Sequence, residues 1–163
     1  RTQQGEGWLV SRAAQPARSG LAATVALAFP WQREGQAGGF VEVARAVPVK
    51  AGTRCRISFL CRDDFGGPTA GYHFAQVLAD GVLLWEGDVA GPGAPEGRQS
   101  VEIPAPAPGR AAVTLALRLQ TKKRVTNFGV RVEFSDLRLE REGVPAAALL
   151  PAPETQEIGR AHV

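Results

Sequence analysis

The sequence predicts an all-β protein, a β-sandwich of the jelly-roll type with about nine antiparallel strands. Apolar residues alternate with polar or small residues in short segments, and this period of two is typical of strands that bury one face. Turn residues separate the segments about every 8 to 12 residues, which favours a sandwich or jelly roll. The 163 residues include 19 glycines and 12 prolines, a share well above the usual one that favours many turns over long helices.

The first three predicted strands are residues 5–11, 21–29 and 40–47. The second strand alternates large apolar residues with small ones, and we expect it to end at Pro30, because proline has no N–H group for the hydrogen-bond ladder. This assignment leaves Trp31 in a loop, outside any strand. The third strand alternates regularly, with its valines on the buried face.

The fourth predicted strand, residues 54–62, has the clearest alternation and carries both cysteines of the chain on its inward face. Cys55 and Cys61 are six residue steps apart, which is about 20 Å along an extended strand. A disulfide requires Cα atoms within about 7 Å of each other. The two cysteines are therefore predicted to be free, buried thiols that pack in the core.

Residues 72–79 and 82–89 are the fifth and sixth predicted strands, joined as a hairpin by Asp80 and Gly81. An Asp-Gly pair supplies the positive φ angles that a type I′ turn requires. Both strands are largely apolar on both faces, so we expect the hairpin inside a sheet whose second face is partly sheltered.

The two-residue turn also predicts which residues of the hairpin face each other. Counting outward, Leu78 lies opposite Leu83 and Gln76 lies opposite Trp85. Trp85 is therefore expected on the same face as Gln76, beside Tyr72. Because a core rarely contains an isolated glutamine, this face is interpreted as a ligand platform.

The last three predicted strands are residues 99–103, 112–120 and 128–134. Beyond the last of them the apolar period slips, so Leu137 and Leu139 stay on the buried face only if Ser135 and Asp136 form a β-bulge. Beyond the strands, residues 143–163 are rich in Pro and Ala and are predicted to be a linker or tail. Residues 1–142 are then one domain.

Nine residues on the inward faces of these strands are predicted to form the centre of the core. They are Val25, Leu27, Val43, Ile57, Phe59, Leu115, Leu117, Val130 and Val132.

Charge and hydropathy limit the classes of partner that the chain can bind. The chain has 19 basic and 16 acidic residues, a net charge of +3, and its only tight basic cluster is Lys122-Lys123-Arg124. A short basic turn is usually only solvated, so no nucleic-acid partner is expected. No apolar run approaches the about 18 residues of a membrane span, so no membrane partner is expected either.

Several short motifs resemble those of the galactose-binding-like jelly rolls that serve as carbohydrate-binding modules beside glycoside hydrolases. They are Gly7-Trp8, Ser19-Gly20-Leu21, PVKAGTRCRISF, ADGVLLWEGDV, VTLALRL and VEFSDLRL, and together they span most of residues 5–140. The resemblance implies a non-catalytic polysaccharide-binding module of a larger, secreted or extracellular polysaccharide-degrading enzyme. Its partners would be a polysaccharide or oligosaccharide and the catalytic domain of the same polypeptide.

The resemblance also implies that the strands beginning at Phe40, Tyr72, Val82 and Ala112 form one concave sheet. Aromatic faces cover the apolar C–H side of a sugar ring, and amide or charged groups bind its hydroxyls. The residues expected to bind sugar, with Trp31 at the rim, are Trp85, Tyr72, Gln76, Arg118, Gln120, Glu42 and Trp31.

Modules of this kind often hold a structural calcium ion where the first and last strands meet. By position, the resemblance implies Glu6, Ser19 and Asp136 as its ligands. Calcium takes about 6 to 8 oxygen ligands, so backbone carbonyl groups would have to supply several of them.

An enzyme, a structural spacer and a protein-interaction domain are the other functions to consider for a β-sandwich with this sequence. A jelly-roll glycosidase or lyase needs paired carboxylates or a base in a polar cleft. The same-face pair Glu86 and Asp88 lies at the end of the hairpin with only His73 nearby, and His73 is expected to be structural, so no enzyme is predicted. A structural spacer, or a protein-interaction domain that uses the same exposed rings, remains the alternative.

Overall fold

A computed structural model of the chain describes residues 4–5, 8–10, 15–19, 22–50, 52–63, 70–90, 94–142, 144–148 and 158–159. Within these ranges the regular structure consists of β-strands alone, and every strand pair is antiparallel. The predicted all-β class is confirmed. The described ranges hold no helix of the length and apolarity that a membrane span requires.

The strands, numbered in chain order, are β1 (Gln4–Gly5), β2 (Trp8–Val10), β3 (Gln15–Ser19), β4 (Ala22–Gly35), β5 (Phe40–Pro48), β6 (Cys55–Asp63), β7 (His73–Ala79), β8 (Val82–Asp88), β9 (Arg98–Ile103), β10 (Ala112–Thr121), β11 (Val125–Arg141), β12 (Val144–Ala148) and β13 (Ile158–Gly159). Eight long strands, β4 to β11, match eight of the nine predicted ones. The remaining predicted strand, over residues 5–11, corresponds only to the short strands β1 and β2.

The eight long strands form two sheets of four. The front sheet has the order β5-β10-β7-β8, and the back sheet has the order β4-β11-β6-β9. Short strands extend both sheets: β2 and β13 pair with β5, while β3 pairs with β4 and β12 with β11. The predicted β-sandwich is thereby confirmed, with eight main strands rather than nine.

The core fills the space between the sheets. All nine residues predicted for its centre are buried, and none of them is more than 4% exposed. The alternation of apolar residues explains this result, because every second side chain of a strand points to the same face. Phe59 of β6 and Phe134 of β11 are fully buried and pack edge to face, with ring centroids 5.4 Å apart.

The predicted bulge in β11 is confirmed. Ser135 pairs with Leu60 and Arg138 pairs with Ser58, so two residues of β11 lie opposite one residue of β6. Asp136 takes a left-handed conformation with φ of 49°. The bulge restores the period, and Leu137 is fully buried as a result.

The prediction that Pro30 ends the second strand is wrong, because β4 continues to Gly35. Phe29 pairs with Val130 and Gln32 with Phe128, so Pro30 and Trp31 together lie opposite Gly129 alone. This bulge accommodates the proline without breaking the strand. Gly129, opposite the bulge, has little room for a side chain, because a Cβ atom there would lie 3.3 Å from the backbone nitrogen of Trp31.

Neither cysteine forms a disulfide, as predicted, and both lie on β6. Cys55 is buried as predicted, whereas Cys61 is only half-buried. Burial raises the pKa of the Cys55 thiol, which therefore stays protonated and packs as a small apolar group.

Two short strands lie within residues 143–163, the predicted linker or tail. β12 pairs with β11 and β13 pairs with β5. These strands were not predicted, and the division of the chain at residue 142 stays a prediction.

Candidate functional site

The hairpin β7–β8 contains the predicted turn but not the predicted register. Asp80 and Gly81 have φ angles of 48° and 81°, as a type I′ turn requires, and Leu78 pairs with Leu83. The register then shifts, so that Leu84 has no partner of its own and Trp85 pairs with Val77. A one-residue bulge of this kind moves every later side chain to the opposite face of the strand.

Trp85 consequently faces the interior, and its predicted place on the sugar-binding face is wrong. Its ring packs edge to face on Phe59, with centroids 5.0 Å apart, and Nε1 donates a hydrogen bond to Oε1 of Gln99 at 3.2 Å. The indole is half-buried against the core cluster. Glu86 takes the position opposite Gln76 that was predicted for Trp85.

The outer face of the front sheet carries a polar row that crosses all four strands. The row consists of Glu42, Arg118, Gln76 and Glu86, each paired with the next by the strand register. Nε of Arg118 donates to Oε1 of Glu42 at 3.0 Å, and a terminal guanidinium nitrogen lies 2.9 Å from the same oxygen. Arg118 and Glu42 therefore form the first fixed pair of the row.

Gln76 lies in the middle of the polar row and is only 3% exposed. Its Nε2 donates to Oε2 of Glu86 at 2.8 Å and to Oε1 of Gln120 at 2.9 Å. A buried amide requires such partners, because leaving them unmade would cost about 1–3 kcal/mol. The glutamine that looked unusual in the sequence is thus an organising residue of this face.

A second row, next to the first, contains the aromatic residues. Gln120 lies between Phe40 on β5 and Phe74 on β7, and Asp88 follows on β8. Tyr72 directly precedes β7. We call the two rows together with Tyr72 the platform.

Each platform ring has a cation over it. Cζ of Arg118 is 4.0 Å from the ring centroid of Phe40. At the other end, Nζ of Lys122 is 4.4 Å from the Phe74 centroid and Nζ of Lys123 is 5.3 Å from the Tyr72 centroid. These distances are within the range of favourable cation–π contacts.

Two residues were missed from the sequence, Glu86 of the platform and Lys122, which lies beside it. Glu86 was misplaced by the register error in β8. Lys122 was assigned to a solvated basic turn, but Nζ of Lys122 lies 2.8 Å from Oε1 and 2.7 Å from Oε2 of Glu86. Its proximity to Glu86 depends on the pairing of β10 with β7, which a single sequence does not reveal.

The structure therefore brings together five of the seven residues predicted to bind sugar. These are Tyr72, Gln76, Arg118, Gln120 and Glu42. Trp85 faces the core, and Trp31 lies on β4 of the back sheet, where it is 65% exposed.

His73 is buried between the sheets and has a structural environment, as predicted. Its ring stacks on Phe128 with centroids 5.1 Å apart, and Nδ1 lies 3.2 Å from Oγ1 of Thr121. Burial lowers the pKa of His73 from 6.5 to about 4, against a smaller opposing effect of the Asp88 charge. Asp88 in turn accepts hydrogen bonds from the backbone N–H groups of Gly71 at 2.6 Å and Ala90 at 3.0 Å.

Of the three predicted calcium ligands, Asp136 is the one whose side chain lies among the described residues. Glu6 lies outside the described residues, as does the side chain of Ser19 on β3. The carboxylate of Asp136 is paired with Arg98 and with Arg138, the latter at 3.0 Å. Two guanidinium groups beside one carboxylate do not fit a calcium site, and the described residues hold no group of three or more potential metal-binding side chains.

Comparison with known proteins finds similarity in structure only. No family model and no curated protein matches the chain. A structure described as "CBM4 structure and function" is similar over 85% of this chain and 90% of its own, with 13% sequence identity and a TM-score of 0.50.

Two further structures are less similar. A cyclase from Fischerella sp. TAU covers 91% of this chain and 89% of its own, with 12% identity and a TM-score of 0.45. A family 35 carbohydrate binding module from an environmental isolate covers 92% and 93%, with 16% identity and a TM-score of 0.27. The similarity to the CBM4 structure shows that the two chains share a β-sandwich fold.

Proposed function

We propose that the protein is a non-catalytic carbohydrate-binding module that binds polysaccharide on the platform. One observation carries the proposal. The outer face of the front sheet gathers Gln120, Arg118 and Glu42 beside the rings of Phe40 and Phe74, in two neighbouring rows. Amide, guanidinium and carboxylate groups next to flat apolar rings are the combination that binds sugar hydroxyls and sugar C–H faces.

The hydrogen-bonding groups of the platform match hydroxyl groups, which both donate and accept. Arg118 uses Nε and one terminal nitrogen on a single oxygen of Glu42, which leaves further N–H groups for a ligand. Gln120 accepts from Gln76 through Oε1, and its Nε2 is a second potential donor. Glu42 contributes Oε2 as a potential acceptor.

The wider context belongs to the same proposal. The motif resemblance supports a module carried by a larger, secreted polysaccharide-degrading enzyme. In that setting the module would hold the polysaccharide near the catalytic domain of the same polypeptide. The calcium ion implied by the resemblance also stays a prediction, but its ligands would have to be groups other than the carboxylate of Asp136. If the ion binds, a chelator lowers the melting temperature and added calcium restores it.

Affinity gel electrophoresis tests the proposal. The wild-type protein is run in gels that contain hydroxyethylcellulose, xylan, galactan or no polysaccharide, and we expect retardation in at least one of them. Arg118→Met should then weaken binding at least about tenfold, because a charge-assisted hydrogen bond contributes about 1.5–3 kcal/mol. Arg62→Met, which removes an exposed arginine of β6 on the back sheet, is the matched control and should bind like the wild type.

A structural spacer is the second candidate, and the platform itself offers an observation in its favour. The charged groups Arg118 and Lys122 are already paired with Glu42 and Glu86, and all three rings are covered by cations. A surface whose groups satisfy one another needs no ligand. Absence of retardation on every polysaccharide, with an intact fold, would favour the spacer.

A further inference from the structure

In the free protein a lysine side chain covers the Phe74 ring at the centre of the platform. The inference drawn from this rests on the proposed function. Phe74 lies on β7, an inner strand of the front sheet, and is half-buried. Nζ of Lys122 is 4.4 Å from the centroid of its ring. A pyranose needs that same ring face to place its C–H groups in contact with the aromatic surface. Lys122 and the sugar therefore compete for one position.

Lys122 is held over the ring by an ion pair. Its ammonium lies 2.7 and 2.8 Å from the two carboxylate oxygens of Glu86, and Glu86 also accepts a hydrogen bond from Gln76. Because Gln76 is almost fully buried, it fixes the position of the carboxylate. The lysine is thus anchored on a rigid partner, although its own side chain is 39% exposed.

The three cation–ring pairs of the platform are not equivalent. Arg118 makes two contacts with Glu42, has a side chain only 21% exposed, and lies 4.0 Å from Phe40, so it is a fixed part of the surface. Lys122 is more exposed and belongs to the turn after β10, so its side chain can leave the ring without disturbing the strands. Phe74 can therefore be opened to a ligand, whereas Phe40 cannot.

We infer that Lys122 is a specificity-determining residue that covers Phe74 in the free protein and must be displaced before a sugar ring stacks there. The residue selects for glycans that make enough contacts elsewhere on the platform to compensate for its displacement. Its removal should strengthen the binding of neutral polysaccharides. From the usual strength of one exposed ion pair and one exposed cation–π contact, the expected gain is about three- to thirty-fold.

Lys122→Met and wild-type protein are compared by affinity electrophoresis in hydroxyethylcellulose, xylan and galactan at two sodium chloride concentrations. The variant should bind more tightly than the wild type. Salt should also tighten wild-type binding, because it weakens the ion pair with Glu86, and should leave binding by Lys122→Met unchanged. Lys50→Met is the matched control: it removes a lysine beyond the opposite end of β5 and should bind like the wild type.

The outcomes separate this inference from the proposed function. Wild-type binding that is equal to or tighter than binding by Lys122→Met would overturn the inference and leave the carbohydrate-binding function standing. Absence of binding by both proteins in every gel would overturn both. Binding by Lys122→Met alone would support the inference, since the lysine would then be the barrier, and would count against sugar binding by the wild-type protein. Melting temperatures of the variants verify that each one is folded.

Discussion

The environment of Trp85 decides what its side chain does. The ring packs on the fully buried Phe59 and its N–H group is bonded to Gln99, so both its apolar and its polar part are used inside the protein. Trp31 is the opposite case, with 65% of its surface exposed. Two tryptophans that look alike in the sequence therefore have different roles.

Replacement of Trp85 by Ala should lower the free energy of unfolding by about 3 kcal/mol, because it removes an aromatic packing contact and leaves a cavity. Urea denaturation measures this change. Trp31→Ala is the control, and a loss below about 0.5 kcal/mol is expected for an exposed side chain. A Trp85→Ala protein as stable as the wild type would show that the ring does not belong to the core.

The bulges in β11 and in β8 show why one was predictable from the sequence and the other was not. In β11 the slip is visible in the sequence, because Leu137 and Leu139 fall out of the apolar period. In β8 the residues around the bulge, Leu83, Leu84 and Trp85, are all apolar, so no change of period marks it. Pattern reasoning locates a bulge only where one face of the strand is polar.

The same limit applies to the rest of the fold and site. The alternation of apolar and polar residues predicted the long strands and the core residues, because a strand that buries one face has an apolar residue at every second position. It did not predict the pairing of β10 with β7, which places Lys122 over Phe74, since strand order depends on contacts distant in the sequence. It also did not predict the continuation of β4 past Pro30, because the bulge there depends on Gly129 in another strand.

Gly87 of β8 is required by close packing rather than by its backbone angles. A Cβ atom there would lie 2.4 Å from Cγ of Pro95 and 2.9 Å from Cη2 of Trp85. Gly87→Ala should therefore destabilise the protein by about 1–3 kcal/mol through overpacking. Thermal denaturation tests this expectation. Gly39→Ala, whose new Cβ would come no closer than 3.4 Å to Gln36, is expected to melt near the wild-type temperature.

The stability of the whole molecule should depend on pH through His73. Its folded-state pKa of about 4 is below the ordinary 6.5, so the unfolded chain binds the proton more strongly between these values. Stability should be fully present above about pH 6.5 and fall as the pH decreases towards 4, by up to about 3 kcal/mol. Urea denaturation at pH 7, 6 and 5 measures the slope.

His73→Gln provides the comparison for this pH dependence. The variant lacks the titrating ring, so its unfolding free energy should change less between pH 7 and pH 5 than that of the wild type, whatever its absolute stability. Equal slopes for the two proteins would assign the pH dependence to other groups.

The buried amide of Gln76 supplies a spectroscopic reporter for the face it supports. Its Nε2 group donates to Glu86 and to Gln120 on opposite sides, and the residue is only 3% exposed. Rotation of the amide by half a turn would bring its oxygen towards the Glu86 carboxylate, which is unfavourable because the two oxygens repel each other. Both side-chain protons are therefore held in one orientation. They should exchange slowly with deuterium and resonate apart from those of exposed glutamines. A ligand that rearranges Glu86 would shift this pair of signals even though it never touches Gln76.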